Sequence, residues 1–162
     1  MFSEELVRQA ERLLDRLRGK SLTLATAESC TGGLLAGLLT EIAGASDVLE
    51  RGWVTYSNEA KVEELGVEPA LIAAHGAVSA EVAQAMAVGA LDRSSADVAV
   101  AITGIAGPSG GTAEKPVGLV HLAALRRGRS PRHRELRLGN IGRRQVRHQS
   151  IEAALALIEV VL

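Results

Sequence analysis

Apolar positions along this chain change period several times, and each change marks an element. Leu6, Ala10, Leu13, Leu14 and Leu17 recur at the spacing of one helix face, with Ser3 as cap and Gly19 as stop, predicting an amphipathic helix over 3–18. SLTLAT (21–26) is short, alternating and β-branched, as in a strand. Leu34, Leu35, Leu38, Leu39 and Ile42 return to helical spacing, predicting a helix over 31–43 that ends at Gly44. RGWVTY (51–56) reads as the second strand. Two short helices follow, one capped by Ser57 or Asn58 and running to about Leu65, the other from Pro69 to just before Gly76. A longer helix spans 79–91, with Ser79 as cap and Val82, Ala83, Met86 and Ala90 inward. DVAVAIT (97–103) is almost continuously apolar, the mark of a central strand. A glycine- and proline-rich loop (104–118) leads to strands over 117–125 and 132–138, joined by a turn at 126–128, and a helix over 145–162 closes the order.

The βα alternation of the first half implies parallel strands covered by helices, and the last three strands, which lack intervening helices, imply antiparallel pairing at one end. The expectation is an α/β fold with a mixed, mostly parallel sheet sandwiched by helices. At 162 residues there is room for one domain with a full core and none for a second.

Composition narrows the function classes. Lys and Arg total 18 against 19 Asp and Glu, for a net charge of −1, which argues against a surface built for nucleic acid. Nine of the fifteen arginines fall within 126–147, but aromatics are only 2% of the chain, so a stacking groove for bases is not expected there. The single cysteine, Cys30, excludes an internal disulfide framework and fits a reducing cytoplasm. No signal peptide and no membrane-spanning run is read from the sequence. Exposed edge strands on a short chain make a homo-oligomer the expected state.

Chemistry concentrates at ATAESCTGG (25–33), where the first strand gives way to the second helix. A hydroxyl there faces the first N–H groups of a helix, a place for developing negative charge, although Ser29 or Thr31 also suits a simple cap. Cys30 is a rival nucleophile, because a thiolate at a helix N-terminus is activated. No metal motif is present, and the histidines at 75, 121, 133 and 148 are scattered, so proton transfer needs another base. Lys61 is the candidate: it is one of only three lysines, and it falls near the first turn of its helix, where the dipole disfavours the ammonium. A partly neutral lysine takes a serine proton in Ser–Lys acyl-transfer enzymes; the alternative is a solvated helix lysine. Tyr56, at the strand end, reads either as a proton relay, carbonyl donor or ring-stacking partner, or as core. The loop TGIAGPSGG (103–111) holds four glycines and lets the backbone approach an anion, as an ordinary crossover loop also would. It is neither a dinucleotide fingerprint nor a Walker A sequence. Arg143 or Arg144 suits a bidentate phosphate clamp.

Five ordered blocks, TAESCTGG (26–33), ERGWVTYSNEAK (50–61), HGAVS (75–79), ITGIAGP with GG (102–111) and EKPVG (114–118), together resemble the CinA C-terminal domain family, whose stand-alone members are nicotinamide-nucleotide amidohydrolases. The likeness runs from about Leu6 to Leu157. It implies a three-layer α/β/α sandwich that converts nicotinamide mononucleotide and water to nicotinate mononucleotide and ammonia, with neither metal nor cofactor. By resemblance Ser29 is the nucleophile, Lys61 the base and Tyr56 a member of the same site. The implied substrate-binding set is Cys30, Thr31, Gly32, Gly33, Asn58, Thr103, Gly104, Ile105, Ala106, Gly107 and Arg143. Amides at the Cys30–Gly33 helix start or in the glycine loop are expected to hold the oxyanion. The family's closing Gly-Asp-Arg-x-x-Val-Arg appears as IGRRQVR (141–147), which keeps the arginine and the Val-Arg without Gly-Asp. The pyrophosphatase-linked N-terminal domain of larger relatives is not expected. A non-catalytic nucleotide-binding or competence-associated partner protein is the alternative of a different class.

Overall fold

Leu13, Leu14 and Leu17, one face of the first helix, are at most 1% exposed, and each such burial is worth about 1.5–3 kcal/mol. The computed structural model, which describes residues 2–162, runs in the order α1 (Glu4–Gly19), β1 (Leu24–Glu28), α2 (Leu34–Thr40), a 3-10 turn (Ala45–Asp47), β2 (Leu49–Val54), α3 (Asn58–Leu65), α4 (Pro69–His75), α5 (Ala80–Asp92), β3 (Val98–Gly104), β4 (Leu119–Arg126), β5 (Arg132–Arg137) and α6 (Arg143–Val161). The sheet order is β2-β1-β3-β4-β5. Strand β1 is parallel to β2 and β3, and only β4 runs against the rest. Helices cover both faces, giving an α/β sandwich with a mixed, mostly parallel sheet.

Strand alternation divides the core in two. Leu24, Val98, Val100, Ile102, Val120 and Leu122 face the layer of α1, α2 and α6. Ala25, Ala27, Ala99, Ala101 and Ala123 face α5, and their small side chains let that helix lie close to the sheet. Helix α5 also meets α3 backbone to backbone: a Cβ on Gly89 would fall 1.9 Å from the Leu65 carbonyl oxygen.

The second strand is Leu49–Val54 where 51–56 was expected, and two further displacements have a visible cause. The first strand starts at Leu24, not Ser21, because the Leu22 N–H still closes α1 on the Leu17 carbonyl. Thr23 is held by Asp97, which accepts from its amide at 2.8 Å and its hydroxyl at 3.0 Å. The second helix starts at Leu34, not Thr31, because Gly32 and Gly33 take φ of +59° and +90°, outside the helical region. Its cap is neither Ser29 nor Thr31. Buried Glu28, at the end of β1, accepts from the Leu35 amide at 2.9 Å and the Ala36 amide at 3.1 Å.

Candidate active site

Continuing the alternation of β1 turns Ser29 toward the α3 and α5 layer. Its amide donates to the Ile102 carbonyl at 2.9 Å, which ties it to β3, and its carbonyl accepts from Gly32 at 3.0 Å, which closes a tight turn. Lys61 approaches from α3, a helix capped by the Ser57 hydroxyl accepting from Ala60 at 3.0 Å. Lys61 is only 1% exposed. Its Nζ lies 3.0 Å from Ser29 Oγ and donates to the Thr55 carbonyl at 2.7 Å, with the Tyr56 and Ser57 carbonyls at 3.5 and 3.4 Å. Burial holds the amine below its ordinary range, with the Cys30 side chain acting weakly in the other direction. Once deprotonated, the amine would offer its lone pair to the hydroxyl, and the three carbonyls would receive the ammonium that a proton transfer creates.

The Ser29–Lys61 contact opens into a cleft of about 280 Å³ beyond the ends of β1 and β3, where open parallel sheets place their ligands. Asn58 and Tyr56 form one side of it, and Thr103, Gly104, Ile105, Ala106 and Gly107 form another. Arg143 spans the two, donating to the Tyr56 hydroxyl at 2.9 Å and to the Gly107 carbonyl at 3.0 Å. Tyr56 is 60% exposed and so is not core. The residues lining the cleft include no histidine and no carboxylate, and the one amine among them, that of Lys61, is the group within reach of Ser29. Hollows elsewhere reach about 500 Å³, as at Arg126, Arg129 and Arg132, but that one contains no nucleophile beside a base.

The sequence matches the CinA C-terminal domain family over residues 7–162. The chain belongs to that family. Nicotinamide-nucleotide amidohydrolase PncC of Escherichia coli (strain K12) is 49% identical over 156 residues, 96% of this chain and 93% of that protein. A CinA-like protein of Geobacter sp. (strain M21) is 56% identical over 128 residues, 79% of this chain and 31% of that protein. The chain thus spans about a third of the length of such CinA relatives. The crystal structure of competence/damage inducible protein CihA from Agrobacterium tumefaciens superposes with a TM-score of 0.97 at 50% identity, over 99% of this chain and 97% of that one.

In this CinA domain most of the expected site residues converge, and three do not. Thr31, Gly32 and Gly33 stand behind the turn, away from the cleft lining, and the Thr31 hydroxyl is buried without a partner. The Leu35 and Ala36 amides are already taken by Glu28, so the helix start offers fewer free donors than the sequence implied. Thr103 lines the cleft, but its hydroxyl is committed to the Ala77 carbonyl at 2.9 Å. Cys30 is 5% exposed, and burial pushes its thiol up to about 12, which removes the thiolate a rival nucleophile needs.

Other contributors had no role assigned from the sequence. Lys115 fixes the Ala77 and Val78 wall by donating to the Val78 carbonyl at 2.8 Å and to the His75 carbonyl. Arg147 grips the turn that carries Ser29, donating to the Cys30 and Thr31 carbonyls at 3.1 and 2.9 Å. Away from the cleft, His121 Nδ1 and His133 Nε2 lie 2.9 Å apart across the β4–β5 hairpin, a pairing that only the strand register reveals. Among the described residues no helix is long and apolar enough to cross a membrane.

Proposed function

We propose that this CinA domain hydrolyses the carboxamide of nicotinamide mononucleotide to nicotinate mononucleotide and ammonia, with Ser29 as nucleophile and Lys61 as base. The observation that carries the reading is the 3.0 Å contact between a lysine whose amine burial holds below its ordinary range and a serine lining the same cleft. The 49% identity to a protein named nicotinamide-nucleotide amidohydrolase, over nearly the whole of both chains, supports the choice of substrate.

In the first step Ser29 Oγ attacks the carboxamide carbon as Lys61 Nζ takes its proton. The ammonium so formed rests against the Thr55, Tyr56 and Ser57 carbonyls. It then protonates the departing nitrogen, the C–N bond breaks, ammonia leaves, and an ester on Ser29 remains. Water, deprotonated by Lys61, attacks that ester. The carboxylate product leaves and the proton returns to Ser29. Arg143 and the glycine loop hold the phosphate, and exposed Tyr56 faces the pyridine ring.

The test is a coupled ammonia assay on the purified protein with the mononucleotide. Sustained ammonia release at catalytic enzyme concentration supports the reading. Saturable binding without release would instead indicate a nucleotide-binding partner protein.

A further inference from the structure

Arg147 belongs to α6, in the layer opposite Lys61, and no step of the proposed reaction uses it. Its position is nonetheless specific. Nε donates to the Cys30 carbonyl at 3.1 Å and Nη2 to the Thr31 carbonyl at 2.9 Å, so one guanidinium binds two consecutive carbonyls directly behind the nucleophile. The Thr31 carbonyl shares a peptide group with the Gly32 N–H, which donates to the Ser29 carbonyl at 3.0 Å. The Ser29 carbonyl in turn shares a peptide group with the Cys30 N–H, and peptide planarity points that N–H the other way. Among the described residues the Cys30 amide has no backbone acceptor and no side-chain partner other than its own sulfur, and Cys30 lines the cleft beside Ser29. A continuous chain thus runs from a fixed cation through two peptide groups to a donor that no other described residue engages.

We propose that Arg147 is a positioning residue for acyl transfer: it fixes the Ser29 turn from behind and polarises the Cys30 N–H that receives the oxyanion. This rests on the Ser29–Lys61 amidase reading. Hydrogen bonds in series strengthen one another, and a charged group at the far end adds to the effect. The residue after the nucleophile is also where other acyl-transfer folds place an oxyanion donor. Such a donor acts on the tetrahedral state and not on the ground-state amide, so its weakening lowers kcat and spares KM. Deleting an oxyanion donor outright costs about 100- to 1,000-fold in kcat; weakening one costs less, about 10- to 100-fold.

The test compares wild type with Arg147→Met and Arg147→Lys in the mononucleotide ammonia assay, after near-UV circular dichroism has established the fold of each. Arg147→Met is expected to lose about 10- to 100-fold in kcat with KM within about twofold, and Arg147→Lys, which keeps the cation on fewer contacts, to fall between. The pH at which activity rises should be the same in all three, because Lys61 is untouched. An Arg147→Met enzyme with wild-type kcat, a change confined to KM, or a moved pH limb overturns the proposal. Should Arg147→Met fail to fold, Arg147→Lys is read alone: reduced kcat at constant KM supports the proposal, and wild-type kcat or raised KM overturns it. An active wild type with an indifferent Arg147→Met sinks this inference only. A wild type that releases no ammonia sinks the amidase reading and this inference together.

Discussion

Replacing Glu28 with Gln tests how the turn carrying Ser29 is anchored. The Glu28 carboxylate is 1% exposed and accepts from two amides of α2, at 2.9 and 3.1 Å, in place of any capping side chain at Gly33. In Glu28→Gln the side-chain amide keeps one oxygen for one backbone N–H and turns its NH2 toward the other, so two donors face each other in a buried space. Losing one charge-assisted hydrogen bond costs about 1.5–3 kcal/mol. The lost favourable charge at a helix N-terminus adds about 0.3–1 kcal/mol. The sum is about 2–4 kcal/mol, or about 4–16 °C in Tm for a chain of this size. Thermal unfolding followed by circular dichroism measures it, with Glu50→Gln as control. The Glu50 carboxylate pairs with half-exposed Arg51, so that substitution should cost less than about 1 kcal/mol. A Glu28→Gln Tm within about 2 °C of wild type refutes the reasoning, because a spectator carboxylate would behave that way.

Other outcomes follow from the same geometry. Only the neutral amine of Lys61 accepts a proton, and burial lowers its pKa from 10.5, so kcat/KM should rise with pH and level off below that value. A profile still climbing at 10.5 contradicts this. Lys61→Arg should lose ammonia release by about 1,000-fold or more, because a guanidinium does not deprotonate; retained activity in a rate assay rules out the base role. Gly89→Ala should destabilise by about 3 kcal/mol, as its Cβ would meet the Leu65 carbonyl oxygen at 1.9 Å, and an unchanged urea midpoint would contradict that close approach.

Periodic elements were legible because their signals are local. Ser3, Ser57 and Ser79 cap α1, α3 and α5 as their positions suggested, and the nearly all-apolar 97–103 run became the buried central strand β3. The shifts at β1 and α2 come from partners that spacing does not show. Asp97 holds Thr23 across 74 positions of chain, and Glu28, which the sequence reading gave no role, caps a helix seven residues ahead. The pairing of Ser29 with Lys61 rested on resemblance more than on spacing, since nothing local brings together residues 32 apart. Arg147 stood in the sequence only as the end of the closing Val-Arg motif and had no role there, because its two carbonyl acceptors lie 116 and 117 residues away.

Ammonia release from nicotinamide mononucleotide by Ser29→Ala and Cys30→Ala, side by side with the wild type, is the most direct measurement of which group attacks. Cys30, with its thiol pushed to about 12, should be dispensable, and Cys30→Ala should stay within about threefold of wild type. Ser29→Ala, lacking the hydroxyl 3.0 Å from Lys61, should fall by about 1,000-fold or more. Activity that survives in Ser29→Ala and vanishes in Cys30→Ala would contradict the account at its root.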